Sequence, residues 1–478
     1  MAIAAAPPRS LRTAQDPRLP FRLHQSAACT AGATLSDAAA IESWLAERTA
    51  VHSFDVRRVP FDELDGWSFA PDTGNLVHRT GRFFSVEGLA VHSSAGPLPA
   101  WHQPIINQPE IGILGILVKE FDGVLHCLVQ AKMEPGNPRM LQLAPTVQAT
   151  RSNYMRVHQG NPVRYLEYFV APRRGRVLAD VLQSEHGWWF YRKRNRNIVV
   201  EVDEGVEVEV HDDFCWMTVG QINELMNREN AVNMDARTVL SCLPSPGPVP
   251  VYSGEFHAAL GASRNPRAGS RVGSVDLLSW FTEQRARLEF SADPVPLAAL
   301  PGWRRTDDAI VREDGRHFSV VAVDVKASSR EVTGWSQPLF EPNGRGIAAF
   351  IVKRFDGVLH VLAHAKVESG FLDSVELGPT VQCRPGNYDE DDQPFLLDYV
   401  LSAGPARVRF DTVHSEEGGR FLNAEFRYLI VEADDSLPAD LPEEYTWVTM
   451  WQLNDLLRHG HYVSVQARSL VACLNAAR

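Results

Sequence analysis

The chain has 478 residues, a net charge of −12, 44 % apolar residues and 22 % charged ones. A single core stops growing near roughly 250–300 residues, so two or more domains are expected. The negative balance argues against general nucleic-acid binding. No apolar run is long enough for a membrane span. Six scattered cysteines without a CxxC argue against a zinc site or a disulfide scaffold, which points to the cytoplasm.

In chain order, residues 1–34 open with "MAIAAAPPRSLRTAQDPRLP", whose prolines and arginines break any signal-peptide core. They are expected to form a disordered tail. "SDAAAIESWLAER" then reads as a helix behind a Ser/Asp cap, and Gly66-Trp67 follows. "IGILGILVKEF" and "VLHCLVQAKM" read as strands joined by Asp122-Gly123, a favoured hairpin turn because Gly tolerates positive φ. "YLEYFV" and "NIVVEV" read as further strands, and "TVGQINELMNREN" closes the unit, residues 35–243, as a helix. Residues 244–273 are rich in Pro, Gly and Ser and read as a linker.

From residue 274 the same order returns. "SVDLLSWFTEQRAR", Gly302-Trp303, strands "LLDYVL" and "RYLIVEA", and helix "TMWQLNDLLRHG" carry the chain through 274–478. The hexapeptide FDGVLH stands at 121–126 and again at 355–360. Eleven of sixteen positions agree between "KEFDGVLHCLVQAKME" and "KRFDGVLHVLAHAKVE", and PTVQ recurs at 145–148 and 379–382. The fold class is α/β, a tandem duplication of one unit built on a mixed sheet.

Alternation along the second hairpin strand puts Leu125, Cys127, Val129, Ala131 and Met133 on a core face. The opposite face carries His126, Leu128, Gln130, Lys132 and Glu134, repeated as His360, Leu362, His364, Lys366 and Glu368. A solvated sheet face is the plain reading. Against it, Lys and Glu keep their identities in both copies while neighbours drift. Two more constellations follow: Arg151, Asn153 and Tyr154, matched by Asn387 and Tyr388 with Pro385 in place of Arg151; and Trp188-Trp189 beside Arg192, Lys193, Arg194 and Arg196. Aromatic surface next to guanidinium forks suits a nucleotide diphosphate, although a charged edge strand would look the same. The dinucleotide, P-loop, HExxH and nucleophile-elbow motifs are absent from the sequence.

The words "QPEIGILGILVKEFDGVLHCLVQAKMEPGN", "LAPTVQATRSNY" and "YLEYF", with "FDGVLHVLAHAKVESG", "LGPTVQC" and "NY" in the second copy, resemble the NDP-hexose 2,3-dehydratase family of deoxysugar and antibiotic biosynthesis. That resemblance implies two Nudix-like units per subunit, a homodimer, and action on a dTDP-linked 4-keto-6-deoxyhexose without cofactor or metal. It further implies a diketo product passed to a separate 3-ketoreductase. No R-E-x-x-E-E helix of a Nudix hydrolase is present. Removal of the C3 proton, acidified by the C4 ketone, and loss of the C2 hydroxyl need a base, an oxyanion donor and an acid. Lys132, Glu134 and Tyr154 are the expected catalytic groups, their individual roles open. Arg151, Asn153, Trp188, Arg192 and Arg194 are expected to bind substrate, the arginines at the diphosphate and Trp188 at the thymine. Lys366, Glu368, Asn387 and Tyr388 would form a second, vestigial pocket. A non-catalytic nucleotide-sugar-binding protein and a degenerate Nudix-type hydrolase are the alternatives.

Overall fold

The repeated hexapeptide forms a hairpin in both copies. In the computed structural model, which describes residues 16–96, 98–150, 162–171, 174–244, 254–328, 332–438 and 440–477, Gly112–Phe121 pairs antiparallel with Val124–Met133. Asp122 and Gly123 take φ of 48° and 80°, and Asp356 and Gly357 take 49° and 79°. Both residues of each turn are thus left-handed, as a two-residue hairpin requires. The hexapeptide histidine is structural. His126 Nδ1 lies 2.9 Å from Val124 O, and its Nε2 accepts the Ala33 N–H at 3.0 Å. His360 repeats this with Val358 O and the Arg271 N–H.

Each hairpin sits in a seven-stranded mixed sheet. The first runs Arg176–Ser184, Arg194–Val202, Gly112–Phe121, Val124–Met133, Phe214–Thr218, with Arg194–Val202 parallel to Gly112–Phe121. The second runs Val408–Ser415, Glu425–Glu432, Gly346–Phe355, Val358–Val367, Tyr445–Thr449, again with one parallel pair. Inner faces meet in a common core around helices Met234–Ser241 and Val465–Ala476. Outer faces are covered too: Leu128 packs with Phe169 and Trp216, and Leu362 with Leu397 and Leu429. The face carrying Lys132 is therefore not the solvated face that alternation permits.

Several expectations need correction. "YLEYFV" is not a strand but a short 3-10 turn, Leu166–Tyr168, entered through Tyr165 at φ 60°. "LLDYVL" likewise forms the helix Leu397–Leu401 behind Leu396 at φ 63°. Their apolar side chains cover the sheets instead of extending them. The expected tail contains a helix, Leu19–Ala28, with Leu19, Leu23 and Ser26 buried. Pro20 sits in its first turn, where a missing N–H costs little. The expected linker carries the helix Glu255–Ser263. Ser26 Oγ accepts the Val219 N–H and Ser263 Oγ the Met450 N–H, so both segments dock the same way.

The small sheets exchange strands between copies. Phe54–Val59 pairs with Phe318–Ala327, and Phe290–Val295 pairs with Ser85–Ser93. At the centre, fully buried Arg237 donates to Ser415 O at 2.9 Å, and fully buried Arg468 donates to Ser184 O at 2.5 Å. Each arginine holds from behind a turn belonging to the opposite repeat.

Candidate active site

Lys132 and Glu134 lie at the end of Val124–Met133, where the strand runs in to the seam between repeats. Lys132 Nζ is 3.4 Å from Glu134 Oε1, and Gln148 Nε2 donates to the same oxygen at 2.8 Å. Gln148 is steadied by Asn233, the cap of Met234–Ser241, at 3.3 Å. Glu134 Oε2 is buried and has no hydrogen-bond partner among the described residues. A buried carboxylate oxygen without a partner costs free energy.

The strand then turns through Gly136, which docks on the opposite repeat. Gly136 N–H donates to Gly418 O and its carbonyl accepts the Asn423 N–H, both at 2.8 Å. This brings "SEEGGRF" of repeat two, residues 415–421, over Glu134. Apart from Gly419 itself and its two chain neighbours, two atoms among the described residues lie within 4 Å of where a Cβ on Gly419 would stand. They are Glu417 Oε1 at 3.1 Å and Glu134 Oε1 at 3.8 Å. The two carboxylate oxygens therefore lie no more than about 7 Å apart.

Charge is concentrated there. Burial pushes Glu417 up to about 7, opposed by Arg420 and reinforced by Glu185 and Glu134. Burial pushes the Lys193 ammonium down to about 8 against the pull of Glu185 and Glu417. Asp235, buried among Glu417, Glu185 and Glu134, is held well above the usual carboxylate range. Groups near neutrality are suited to exchanging protons at physiological pH.

The second site repeats the frame with other contents. Gly370 N–H donates to Gly187 O, and Arg192 N–H to Gly370 O. Thus "SEHGWWF" of repeat one, residues 184–190, closes over Lys366 and Glu368. Gln382 Nε2 donates to Glu368 Oε1 at 2.8 Å, as Gln148 does to Glu134. Trp188 stands where repeat two has Gly419. The equivalence is marked by Gln103 and Gln337, which donate to Trp188 O and Gly419 O. His186 stands where repeat two has Glu417. Its ring pairs with Glu416; against burial, that bond raises the His186 pKa, and burial is likewise outweighed in Glu416, which is lowered. Lys366 Nζ is engaged with Gln382 O at 3.0 Å.

The structure brings Lys132 together with Glu134, and Lys366 near Glu368. It does not place the copy-one aromatic and basic residues beside Lys132. The Trp188 turn and the Arg192 backbone belong to the wall of the second site, because the turns are exchanged between repeats. Arg194 is half-buried on Arg194–Val202, and Arg196 makes a bidentate pair with Asp180, as Arg427 does with Asp411. Asn387 Oδ1 accepts the His317 N–H, and Tyr388 packs against the outer-face cluster. Arg151, Asn153 and Tyr154 lie outside the described residues. Sequence reasoning missed Glu417, Glu185 and Asp235, and placed Lys193 only within the basic cluster beside Trp188-Trp189. The available signal was the aligned pair "SEHGWWF" and "SEEGGRF", in which Glu417 faces His186.

Fold and electrostatics define a class: a duplicated α/β protein equipped for acid–base chemistry at the seam between its halves. The comparison with known families is more specific. The model of the family described as NDP-hexose 2,3-dehydratase matches residues 38–243 and again 274–474, and the chain belongs to that family. It is 51 % identical over 464 residues to a dTDP-4-dehydro-6-deoxy-alpha-D-glucopyranose 2,3-dehydratase of Amycolatopsis orientalis, covering 95 % of this chain and 94 % of that one. An enzyme of the same name from Saccharopolyspora spinosa is 52 % identical over 441 residues, with 91 % and 90 % covered. Its namesake from Streptomyces violaceoruber is 51 % identical over 444 residues, with 92 % and 97 % covered. No helix among the described residues is long and apolar enough to cross a membrane.

Proposed function

We propose that the protein is a lyase that removes water across C2–C3 of a dTDP-4-keto-6-deoxyhexose, giving the 3,4-diketo-2,6-dideoxy sugar, with repeat one as the working site. The observation that carries the reading is the buried Lys132–Glu134 pair, held by Gln148, with a carboxylate oxygen that has no partner among the described residues. The ketone at C4 acidifies the C3 proton. Glu134 takes that proton, and the Lys132 ammonium stabilises the enolate oxygen, an effect worth several kcal/mol in a site of low dielectric. The C2 hydroxyl then leaves with help from an acid, and the resulting enol collapses to the diketone.

Arg151, Asn153 and Tyr154 follow Gln148 by three to six residues, within roughly 20 Å of chain. They are the proposed diphosphate contacts and the third proton-handling group. Trp188, Arg192 and Arg194 are assigned with Lys366, Glu368, Asn387 and Tyr388 to a second, vestigial nucleotide site. The reading includes a cytoplasmic homodimer and transfer of the product, a reactive vicinal diketone, to a separate 3-ketoreductase.

The test is incubation with a dTDP-4-keto-6-deoxyhexose in the presence of EDTA, followed by NMR of the sugar. Elimination supports the lyase. Binding without turnover points to a nucleotide-sugar-binding protein, and diphosphate cleavage that returns only with metal points to a degenerate hydrolase.

A further inference from the structure

We propose that Glu417, supplied by repeat two, is the catalytic acid of the repeat-one site and gives its proton to the departing C2 hydroxyl. The proposal rests on the dehydratase reading above and adds the group that reading leaves unnamed.

The argument begins with position. Glu417 and Glu134, one from each repeat, each bring a carboxylate oxygen to the same place beside Gly419, no more than about 7 Å apart. Two carboxyl groups facing across that gap can address neighbouring ring carbons, much as carboxyl pairs about 5–9.5 Å apart flank one bond in glycoside chemistry. Their surroundings differ. Glu134 has Lys132 and Gln148 on Oε1, which fix its carboxylate in place for the role of base. Glu417 sits among other carboxylates, which favours its protonated form and suits an acid.

The second site explains why this arrangement is particular to the first. The turns meet across the seam so that residue 186 faces Glu416 and residue 417 faces Glu185. In the first pairing His186 and Glu416 form an ion pair. In the second, Glu417 has the carboxylate of Glu185 in place of a histidine, and that like charge adds to burial in raising Glu417. Among the described residues, charged groups from several elements surround Glu417. Lys132 and Glu134 come from Val124–Met133, Glu185 and His186 from the opposing turn, and Lys193 from the segment leading into Arg194–Val202. Asp235 comes from Met234–Ser241, and Arg420 from the turn of Glu417 itself.

The steps balance. Glu134 takes the C3 proton, and the C–H electrons form the C3–C4 enolate. As that enolate collapses, the C2–O bond breaks and C2=C3 forms. The leaving oxygen takes the Glu417 proton and departs as water. The enol at C3 then returns its hydroxyl proton to Glu417 while C2 accepts the proton held by Glu134, restoring both groups.

The experiment uses the full-length enzyme and a dTDP-4-keto-6-deoxyhexose in D2O, read by NMR at C3 and C2. Glu417→Gln should lower elimination by on the order of 10²–10⁴-fold yet keep exchange of the C3 proton, because the base is intact and the enolate reverts. Glu417→Asp should recover part of the rate. In the parent, kcat should fall as pH rises through about 7, where Glu417 ionises. Glu185→Gln, by removing the facing carboxylate, should move that fall to lower pH. Glu417→Gln that eliminates at the parental rate overturns the proposal. Loss of exchange together with elimination, at an unchanged melting temperature, overturns it too. If Glu417→Gln does not fold, an alkaline limb that Glu185→Gln leaves in place overturns it. A parent enzyme that neither exchanges nor eliminates refutes the dehydratase reading itself.

Discussion

Gly136 and Gly370 are the points where each Lys-x-Glu strand meets the opposite repeat, and Gly136→Ala tests that docking directly. A Cβ on Gly136 would collide with the carbonyl oxygen of Phe421, a backbone atom that no side-chain rotation can clear. Relief requires the 136 turn to move away from residues 418–423, which breaks the two 2.8 Å bonds to Gly418 and Asn423. Those bonds contribute about 1 kcal/mol each, and overpacking adds about 1–3 kcal/mol. The sum is about 3–5 kcal/mol. Unfolding entropy grows by about 2 cal/mol/K per residue, so a chain of this length should melt about 3–5 °C lower. Gly370→Ala meets Phe190 O in the same way and should cost the same. Gly205→Ala, with nothing within 4 Å of its Cβ, is the neutral control. Calorimetry gives the melts and an elimination assay the rates. Equal stability losses should accompany unequal rates, with Gly136→Ala the slower enzyme because its turn carries the working site. A Gly136→Ala protein that melts with the parent would refute the docking.

Two further outcomes follow from the same geometry. Lys132→Ala and Glu134→Gln should each lower turnover by on the order of 10²–10⁴-fold, while Lys366→Ala and Glu368→Gln should leave it near parental. Melts show whether any loss reflects unfolding, and the opposite pattern would move the chemistry to repeat two. Acid should destabilise the fold. Burial pushes His364 to about 3 and His317 to about 4, and His126, His360 and His414 are lowered as well. All five bind protons more readily unfolded, so stability present above the unfolded value of 6.5 is lost as pH falls towards 3–4. His186, raised by Glu416 against burial, and the carboxyls of Glu417, Asp235 and Glu368, raised by burial, act in the opposite sense: each contributes fully below its unfolded value and fades above it, so the five histidines must outweigh them. Melting temperature should drop between pH 7 and pH 5, and a flat profile would count against these burials.

The duplication, the hairpins and the Lys-x-Glu pairs were legible because each is written in adjacent residues. Asp122-Gly123 announces its turn through local φ preference alone. The helix at Leu19–Ala28 was overlooked because prolines nearby drew attention away from the spacing of Leu19, Leu23 and Ser26. The strand exchange was not legible. Phe54–Val59 has a side-chain pattern that suits any antiparallel edge, and nothing local says that its partner is Phe318–Ala327. The site suffered for the same reason. Trp188 and Arg192 share a repeat with Lys132, and only the crossed turns show that they stand over Lys366 instead.

Crossed turns also govern how the two halves of a duplicated gene could diverge. A residue that specialises the first site lies in the second half of the gene, and the reverse holds for the second site. A change that suits one site is therefore felt in both halves: Gly419 and Glu417 stand beside a lysine and a glutamate encoded nearly 300 codons upstream. Neither copy is a spare that can decay freely. The walls of each site are built in part by the other repeat, and recombination that swapped a single half for a relative's would exchange half of each pocket.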